Sequence, residues 1–274
     1  MSACPVCGGE SKGTALTGLL TCRDCGLAFA AEKHAVVAAY APGLEREIYG
    51  SAKTKLFEAA LDWLDHALPG QGRLLDVGCA GGELLRAAGA RGWRGEGVEL
   101  DGRLADLAAG GGAAVHRRPV EECGLEGSAY AAVTVFEVFS QMDAPVAAAA
   151  EISKLLKPGG AVYIREFNSG FHLPLLRLQS GWLFKSLGLK PAVLHDFNFT
   201  PRSLRVMLER AGFREISIRN SRPTSGDPYR SGGRLGGFST GLLKFLYYSL
   251  AQALWLLSLG RVYAGSSLII TARK

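Results

Sequence analysis

Four of the six cysteines fall within the first 25 residues, as Cys4-Pro-Val-Cys7 and Cys22-Arg-Asp-Cys25. A glycine follows each pair, Gly8 and Gly26, and permits the tight knuckle that points two thiolates at one ion. Two knuckles joined by a short hairpin offer four sulfurs to a tetrahedral zinc, the arrangement of a zinc ribbon. With every position taken by sulfur, such a metal holds structure and does no chemistry. A disulfide pairing is the alternative, disfavoured wherever thiols are kept reduced. Redox use is argued against by the duplication of the pair and by the lack of a βαβ pattern around it. Cys79 and Cys123 stand apart and read as small apolar residues.

The second constellation is acidic. Leu74-Leu75-Asp76-Val77 is a short apolar run carrying a carboxylate, and Gly78, Ala80, Gly81 and Gly82 follow before a helical pattern begins. Residues without bulk let backbone approach a ligand closely, and a helix start offers unpaired N–H groups. A phosphate loop would end in Lys-Ser/Thr and a dinucleotide loop would space its glycines as G-x-G-x-x-G; neither is present. An acid at the strand end instead suits a ligand with a positive charge or with hydroxyls. A second short strand, 95–101, also ends in acids, and the two oxygens of Glu99 can accept from two neighbouring hydroxyls. His195, Glu166 and Glu137 are the candidates for moving a proton, placed where the C-terminal edge of a sheet would gather them.

The elements that must position these groups follow from hydrophobic spacing. Residues 56–68 repeat apolar side chains at helical intervals, as do 35–40, with Pro42-Gly43 between them and Pro69-Gly70-Gln71-Gly72 after. The pattern then alternates: a strand ending at Val77, a helix, the strand 95–101, and a helix from Gly102 to Ala109 capped by Asp101. Strands at 113–116 and 130–136 follow, then a helix over 145–156 and a strand at 161–166. Residues 130–136 are apolar enough for the middle of a parallel sheet. Thr200-Pro201 caps a further helix reaching 209–210, and strands are expected at 215–219 and 265–273, the last running antiparallel. This is an α/β chain.

The first motif resembles that of the class I S-adenosylmethionine (SAM) dependent methyltransferases, apolar-Asp-x-Gly-x-Gly/Ala-x-Gly, matched by Asp76, Gly78, Ala80 and Gly82. Leu156-Lys157-Pro158-Gly159-Gly160 before a strand is a second hallmark, and the pattern His195…Phe-Thr-Pro-x-Ser-Leu…Ala-Gly-Phe resembles members that act on small molecules and cell-envelope precursors. The resemblance implies a Rossmann-like seven-stranded sheet with helices on both faces, preceded by the zinc ribbon. It divides the chain into a ribbon at 1–30, a helical linker or cofactor lid at 31–70 that includes Tyr40 and Tyr49, and a methyltransferase domain at 71–274. Insertions are expected at about 168–198 and 220–262. The implied cofactor contacts are Asp76, Gly78, Ala80, Gly82, Glu99 on the ribose, Leu100, Val120 and Phe136. Ala80 stands where glycine is more frequent, and Glu137 and Ser140-Gln141 replace the family's Asp and Glu-His. Gln141 cannot serve as a base near neutral pH.

Composition narrows the partners. A net charge of +6 and a pI near 9.1 favour anionic molecules but are too diffuse to demand nucleic acid. Residues 202–234 hold eight arginines against Glu209, Glu215 and Asp227, an excess that suits a phosphate or diphosphate handle. The 168–198 insertion is rich in large apolar groups, among them Phe171, Trp182, Leu183 and Phe184, and reads as a roof over the substrate. Residues 242–259 are almost wholly apolar but interrupted by Lys244 and Gln252, at the short limit for a span. A packed helix is expected there, with peripheral membrane contact, helped by Tyr247, Tyr248 and Trp255, as the alternative. The function expected is methyl transfer from SAM to a small-molecule, sugar or lipid-linked anionic acceptor, on oxygen or carbon. Two rivals remain: an RNA methyltransferase using the ribbon, and a non-catalytic SAM-fold binding protein. The first residues lack an apolar leader, so a cytoplasmic location, with or without membrane association, is expected.

Overall fold

The computed structural model describes residues 2–14, 18–32, 52–179, 195–225 and 237–274. Tyr40, Tyr49, Trp182, Leu183, Phe184, Asp227, Arg230 and Arg234, and with them the expected 35–40 helix and the tyrosine lid, lie outside the described residues. The chain begins with four short strands, β1 (Ser2–Ala3), β2 (Glu10–Gly13), β3 (Leu19–Cys22) and β4 (Ala28–Ala30). Helix α1 (Thr54–Ala67) leads into β5 (Arg73–Val77), α2 (Glu83–Ala90), β6 (Arg94–Val98), α3 (Gly102–Gly110) and β7 (Ala114–His116). Next come β8 (Tyr130–Phe136), α4 (Pro145–Leu155), β9 (Leu156–Phe167) and α5 (Ser169–Gln179). The rest is β10 (Phe197–Asn198), α6 (Pro201–Arg210), β11 (Arg214–Asn220), α7 (Gly237–Leu257) and β12 (Ser267–Arg273).

The main sheet has seven strands in the order β11-β12-β9-β8-β5-β6-β7. Strands β9, β8, β5, β6 and β7 run parallel, and β12 is antiparallel to both its neighbours. The chain order reverses at β5, where the ends of β5 and β8 leave the crevice in which such sheets take ligands. Alternation along the strands splits the core in two. Leu74, Ala132, Phe136 and Tyr163 pack against Leu56, Phe57 and Leu64 of α1 and Leu84 and Leu85 of α2. Val133, Val135, Ile164 and Ile270 pack against Ile152 of α4 and Leu204, Met207 and Leu208 of α6.

Three local expectations need revision. Leu156-Lys157-Pro158-Gly159-Gly160 is no turn ahead of β9: it lies within the strand as a bulge, with Tyr130 opposite Leu156 and Ala132 already opposite Ala161. Gly159, at φ 74°, supplies the left-handed residue that the bulge requires. The end of the 168–198 stretch forms β10, which pairs with β4 and completes a five-stranded sheet with the N-terminal strands. The ribbon is thereby stitched to the main domain, and Val6, Leu27 and Phe29 share one core with Phe139, Phe197 and Phe199.

The third revision concerns the expected packed helix. In α7, Leu242, Leu243, Phe245, Leu246, Leu250, Leu256 and Leu257 are each more than half exposed. The polar groups turn inward instead. Lys244 Nζ donates to Thr224 O at 3.3 Å, Tyr247 Oη to Ala264 O at 2.7 Å, and Asn220 Nδ2 to Ala251 O at 3.1 Å. The helix is inside out. Among the described residues, no helix is long and apolar enough to cross a membrane.

Candidate active site

The turn after β5 is set by backbone geometry. Gly78, Ala80 and Gly82 all take positive φ, at 77°, 46° and 77°. Gly78 N and Cys79 N donate to Val98 O at 2.8 and 3.1 Å, so the turn hangs on the end of β6. A Cβ at Gly78 would come within 2.3 Å of Val138 Cγ2, which leaves no room for a side chain. Ala80 occupies the left-handed region at a conformational cost that glycine would avoid. Its amide donates to Glu99 Oε2 at 2.9 Å, while Asp101 N donates to Glu99 Oε1 at 2.9 Å. Each Glu99 oxygen keeps an acceptor site, and the carboxylate is locked against the turn. Asp101 caps α3 as expected, accepting from Arg103 N and Leu104 N.

Asp76 is buried at the mouth of β5, and Thr134 Oγ1 donates to its Oδ1 at 2.6 Å. Burial pushes its acid up to about 7, with repulsion from Glu99 adding to the shift. It lines a cleft with Lys53, Phe57, Gly78, Ala80 and Phe136. Gly82 turns the chain into α2 as its N-cap. Leu100 stands exposed beyond β6, and Val120 is buried in a short 3-10 turn at Val120–Glu122.

Behind the cleft lies a charged cluster that sequence reasoning half found. Glu137 follows β8 at φ 61° and is bracketed by two cations: Lys53 Nζ sits 2.6 Å from Oε2, and Arg165 pairs with Oε1. All three are buried. Arg165 also donates through Nε to Ser221 Oγ at 2.9 Å. Burial and the neighbouring Arg165 pull the Lys53 ammonium down to about 7. Paired with both Lys53 and Arg165, Glu137 serves to hold them, the opposite of what a base needs. Lys53 was missed, since no local signal separates it from the exposed Lys55. Arg165 had one, a charge inside an otherwise apolar strand.

Glu166 projects to the other face of β9. Its oxygens accept from Ser140 N at 3.2 Å and Phe167 N at 2.9 Å, and burial pushes its acid up to about 7. His195 stacks on Phe167 with ring centroids 5.1 Å apart. Burial lowers it to about 4, with His172 adding to the effect, so the imidazole is neutral and a weak base. His172 was passed over in the sequence. Its Nε2 lies 2.8 Å from Ser266 O, which fixes the proton there, and its buried Nδ1 has no partner among the described residues.

The four N-terminal cysteines converge, their sulfurs all within 4.8 Å of one another. Cys4 and Cys25 are 3.6 Å apart, Cys7 and Cys22 3.4 Å. Tetrahedral zinc with Zn–S bonds of about 2.3 Å separates its sulfurs by about 3.8 Å, so the cluster has the right size. Gly8 and Gly26, at φ 77° and 75°, make the two knuckles. Cys79 is buried against Gly97, as a small apolar residue would be.

The chain is similar to several known proteins. The ubiquinone biosynthesis O-methyltransferase of Aromatoleum aromaticum is 28% identical over 152 residues, covering 50% of this chain and 61% of that protein. The protein of the same name from Burkholderia pseudomallei is 29% identical over 170 residues, covering 58% and 72%. The chain thus spans about two thirds or less of the first of these relatives. A SAM dependent methyltransferase from Archaeoglobus fulgidus has the same fold, with a TM-score of 0.56 at 18% identity, over 84% of this chain and 97% of that one. A family model described as a methyltransferase domain matches residues 52–218. That stretch runs from the approach to α1 into β11 and holds every residue of the cleft; the chain belongs to the methyltransferase-domain family.

Proposed function

We propose that the protein transfers a methyl group from SAM to a small-molecule acceptor, on oxygen or carbon. The observation that carries this reading is the turn at Gly78, Ala80 and Gly82 pinned by Glu99 beside the buried Asp76. These residues, with Leu100, Val120 and Phe136, would hold the cofactor. Bound SAM supplies a methyl on a sulfonium, whose leaving group is neutral and needs no acid. The remaining task for the chain is to align the acceptor and keep water out. Phe57 and Phe136, 5.0 Å apart edge to face, give the cleft an apolar wall for that purpose. Glu166 is the best supported of the three candidate bases, because burial holds its proton affinity near neutral pH. The names of the curated relatives favour oxygen as the methylated atom. Glu99→Ala should lose hydrogen bonds to a charged acceptor worth roughly 1.5–3 kcal/mol each, read as weaker SAM affinity by calorimetry. Unchanged affinity would remove Glu99 from the site.

The same reading assigns a structural zinc to Cys4, Cys7, Cys22 and Cys25, and a lipid surface to α7. A helix that exposes leucines and turns its polar groups inward needs an apolar neighbour. From residue 228 to the end there is no Asp or Glu to repel an anionic lipid, and Arg230, Arg234 and Arg261 flank the helix in sequence, so the neighbour suited to this segment is an anionic bilayer. An acceptor carried on a lipid would be presented there. Vesicles containing phosphatidylglycerol should carry the protein upward in a flotation gradient, and Leu243→Ser/Leu250→Ser/Leu256→Ser should abolish this. Equal flotation of the variant would sink the membrane assignment.

A further inference from the structure

A groove of about 440 Å³ opens at the end of β9, and neither the cofactor cleft nor the zinc cluster accounts for it. Its walls include Asn168, Thr200, Arg202, Arg205, Arg261 and Tyr263, and no carboxylate among the described residues lines it. Among the described residues, none of the three guanidiniums pairs with an acid. Three cations that line one concave surface repel each other, and an anion seated among them relieves that repulsion.

The groove is built on rigid supports. Thr200 Oγ1 accepts from Ser203 N at 3.1 Å and Ser203 Oγ accepts from Thr200 N at 2.8 Å, a reciprocal cap that fixes the first turn of α6. Arg202 and Arg205, three residues apart, leave that turn on one side, where the helix dipole adds positive potential. The opposite wall comes from the loop after α7. Asn168, fully buried, donates to Tyr263 O at 3.0 Å and Gly265 O at 2.8 Å and so clamps that loop to β9. Asn168 follows Glu166 by two residues, so groove and proposed base share one strand end.

We propose that this groove is a phosphate subsite that takes the phosphate or diphosphate of the acceptor. Guanidinium forks match phosphate oxygens in pairs, and three of them lining one groove offer donors to a phosphate or a diphosphate. The inference rests on the methyl-transfer reading only for the word acceptor; binding of the anion is independent of it.

The test is calorimetric titration of the full chain with inorganic pyrophosphate at low salt, with SAM titrated separately. Wild type should bind pyrophosphate, and Arg205→Gln/Arg261→Gln should weaken this by about tenfold or more, with SAM affinity unchanged. No pyrophosphate binding, equal binding by the variant, or equal affinity for sulfate would each overturn the subsite. Loss of SAM binding by wild type with pyrophosphate binding intact would instead overturn the methyltransferase reading and leave the groove standing. Phosphatidylcholine vesicles with and without phosphatidic acid separate the sources. Arginine-dependent recruitment that pyrophosphate competes away assigns the phosphate to a lipid. Pyrophosphate binding without such recruitment assigns it to a soluble ester.

Discussion

Removing the proposed zinc, by chelation or by Cys22→Ser, will lower the melting temperature of the whole chain and weaken SAM binding with it. The four strands that carry the cysteines do not form a detachable module. Ala30 N donates to Asp196 O at 2.9 Å, Thr200 Oγ1 to Cys25 O at 3.0 Å, and Arg210 Nη1 to Val6 O at 2.7 Å. Cys4, Cys22 and Cys25 are themselves buried in the core that continues through Phe197 and Phe199 to Phe139. Phe139 begins the turn whose Ser140 amide holds Glu166. Structural zinc contributes about 10–16 kcal/mol in small zinc modules, as much as the whole stability of a typical domain, about 5–15 kcal/mol. A single transition at lower temperature, together with zinc near one equivalent per chain in the untreated protein, is the expected result. Two transitions, with the main one and SAM affinity unmoved, would contradict the shared core.

Glu137→Ala should destabilise the fold by about 3–5 kcal/mol, because it leaves Lys53 and Arg165 facing each other in the interior without their common counter-ion. Lys53→Met should cost less, since Glu137 keeps Arg165. The buried titratable groups Asp76, Glu166 and Lys53 predict an unusual pH profile. Asp76 and Glu166 are raised to about 7 in the fold from ordinary values of 3.8 and 4.5. The folded state then holds protons that the unfolded chain has released, so their contribution is full below about pH 4 and is lost as pH rises through 7. Lys53 is lowered from 10.5 to about 7, so between those values the unfolded chain binds the extra proton and stability rises with pH. The three groups together place a stability minimum near neutral pH. Melting temperatures from pH 5 to 10 should show it, Glu166→Gln should flatten the acid limb, and Lys53→Met the alkaline one. A wild-type maximum at pH 7 would show that burial does not shift these groups as described.

The order of strands and helices from 73 to 167 was legible because each element carries its own local signal. Apolar runs such as 130–136 must be covered on both faces, and the turn after Val77 needs left-handed residues, so glycines cluster there. The cysteine knuckles were legible for the same reason: four thiols at short spacing would leave a bound metal few other arrangements. The acids Asp76 and Glu99 could be placed from strand ends alone.

What tertiary structure decided is everything that depends on a neighbour distant in sequence. Lys53 and Lys55 are two residues apart, yet only Lys53 is buried, because only there does Glu137 arrive from the end of β8 to offset the loss of water. Strand β10 is two residues long, too short for any periodicity, and exists because β4 presents an open edge to it. The orientation of α7 follows the same rule. A run so nearly apolar all round has no inner face set by hydrophobicity, and hydrogen bonds from Lys244, Tyr247 and Asn220 selected the side that carries Lys244 and Tyr247. A hydrogen-bond partner in the interior fixes a direction that hydrophobicity spread evenly round a helix cannot.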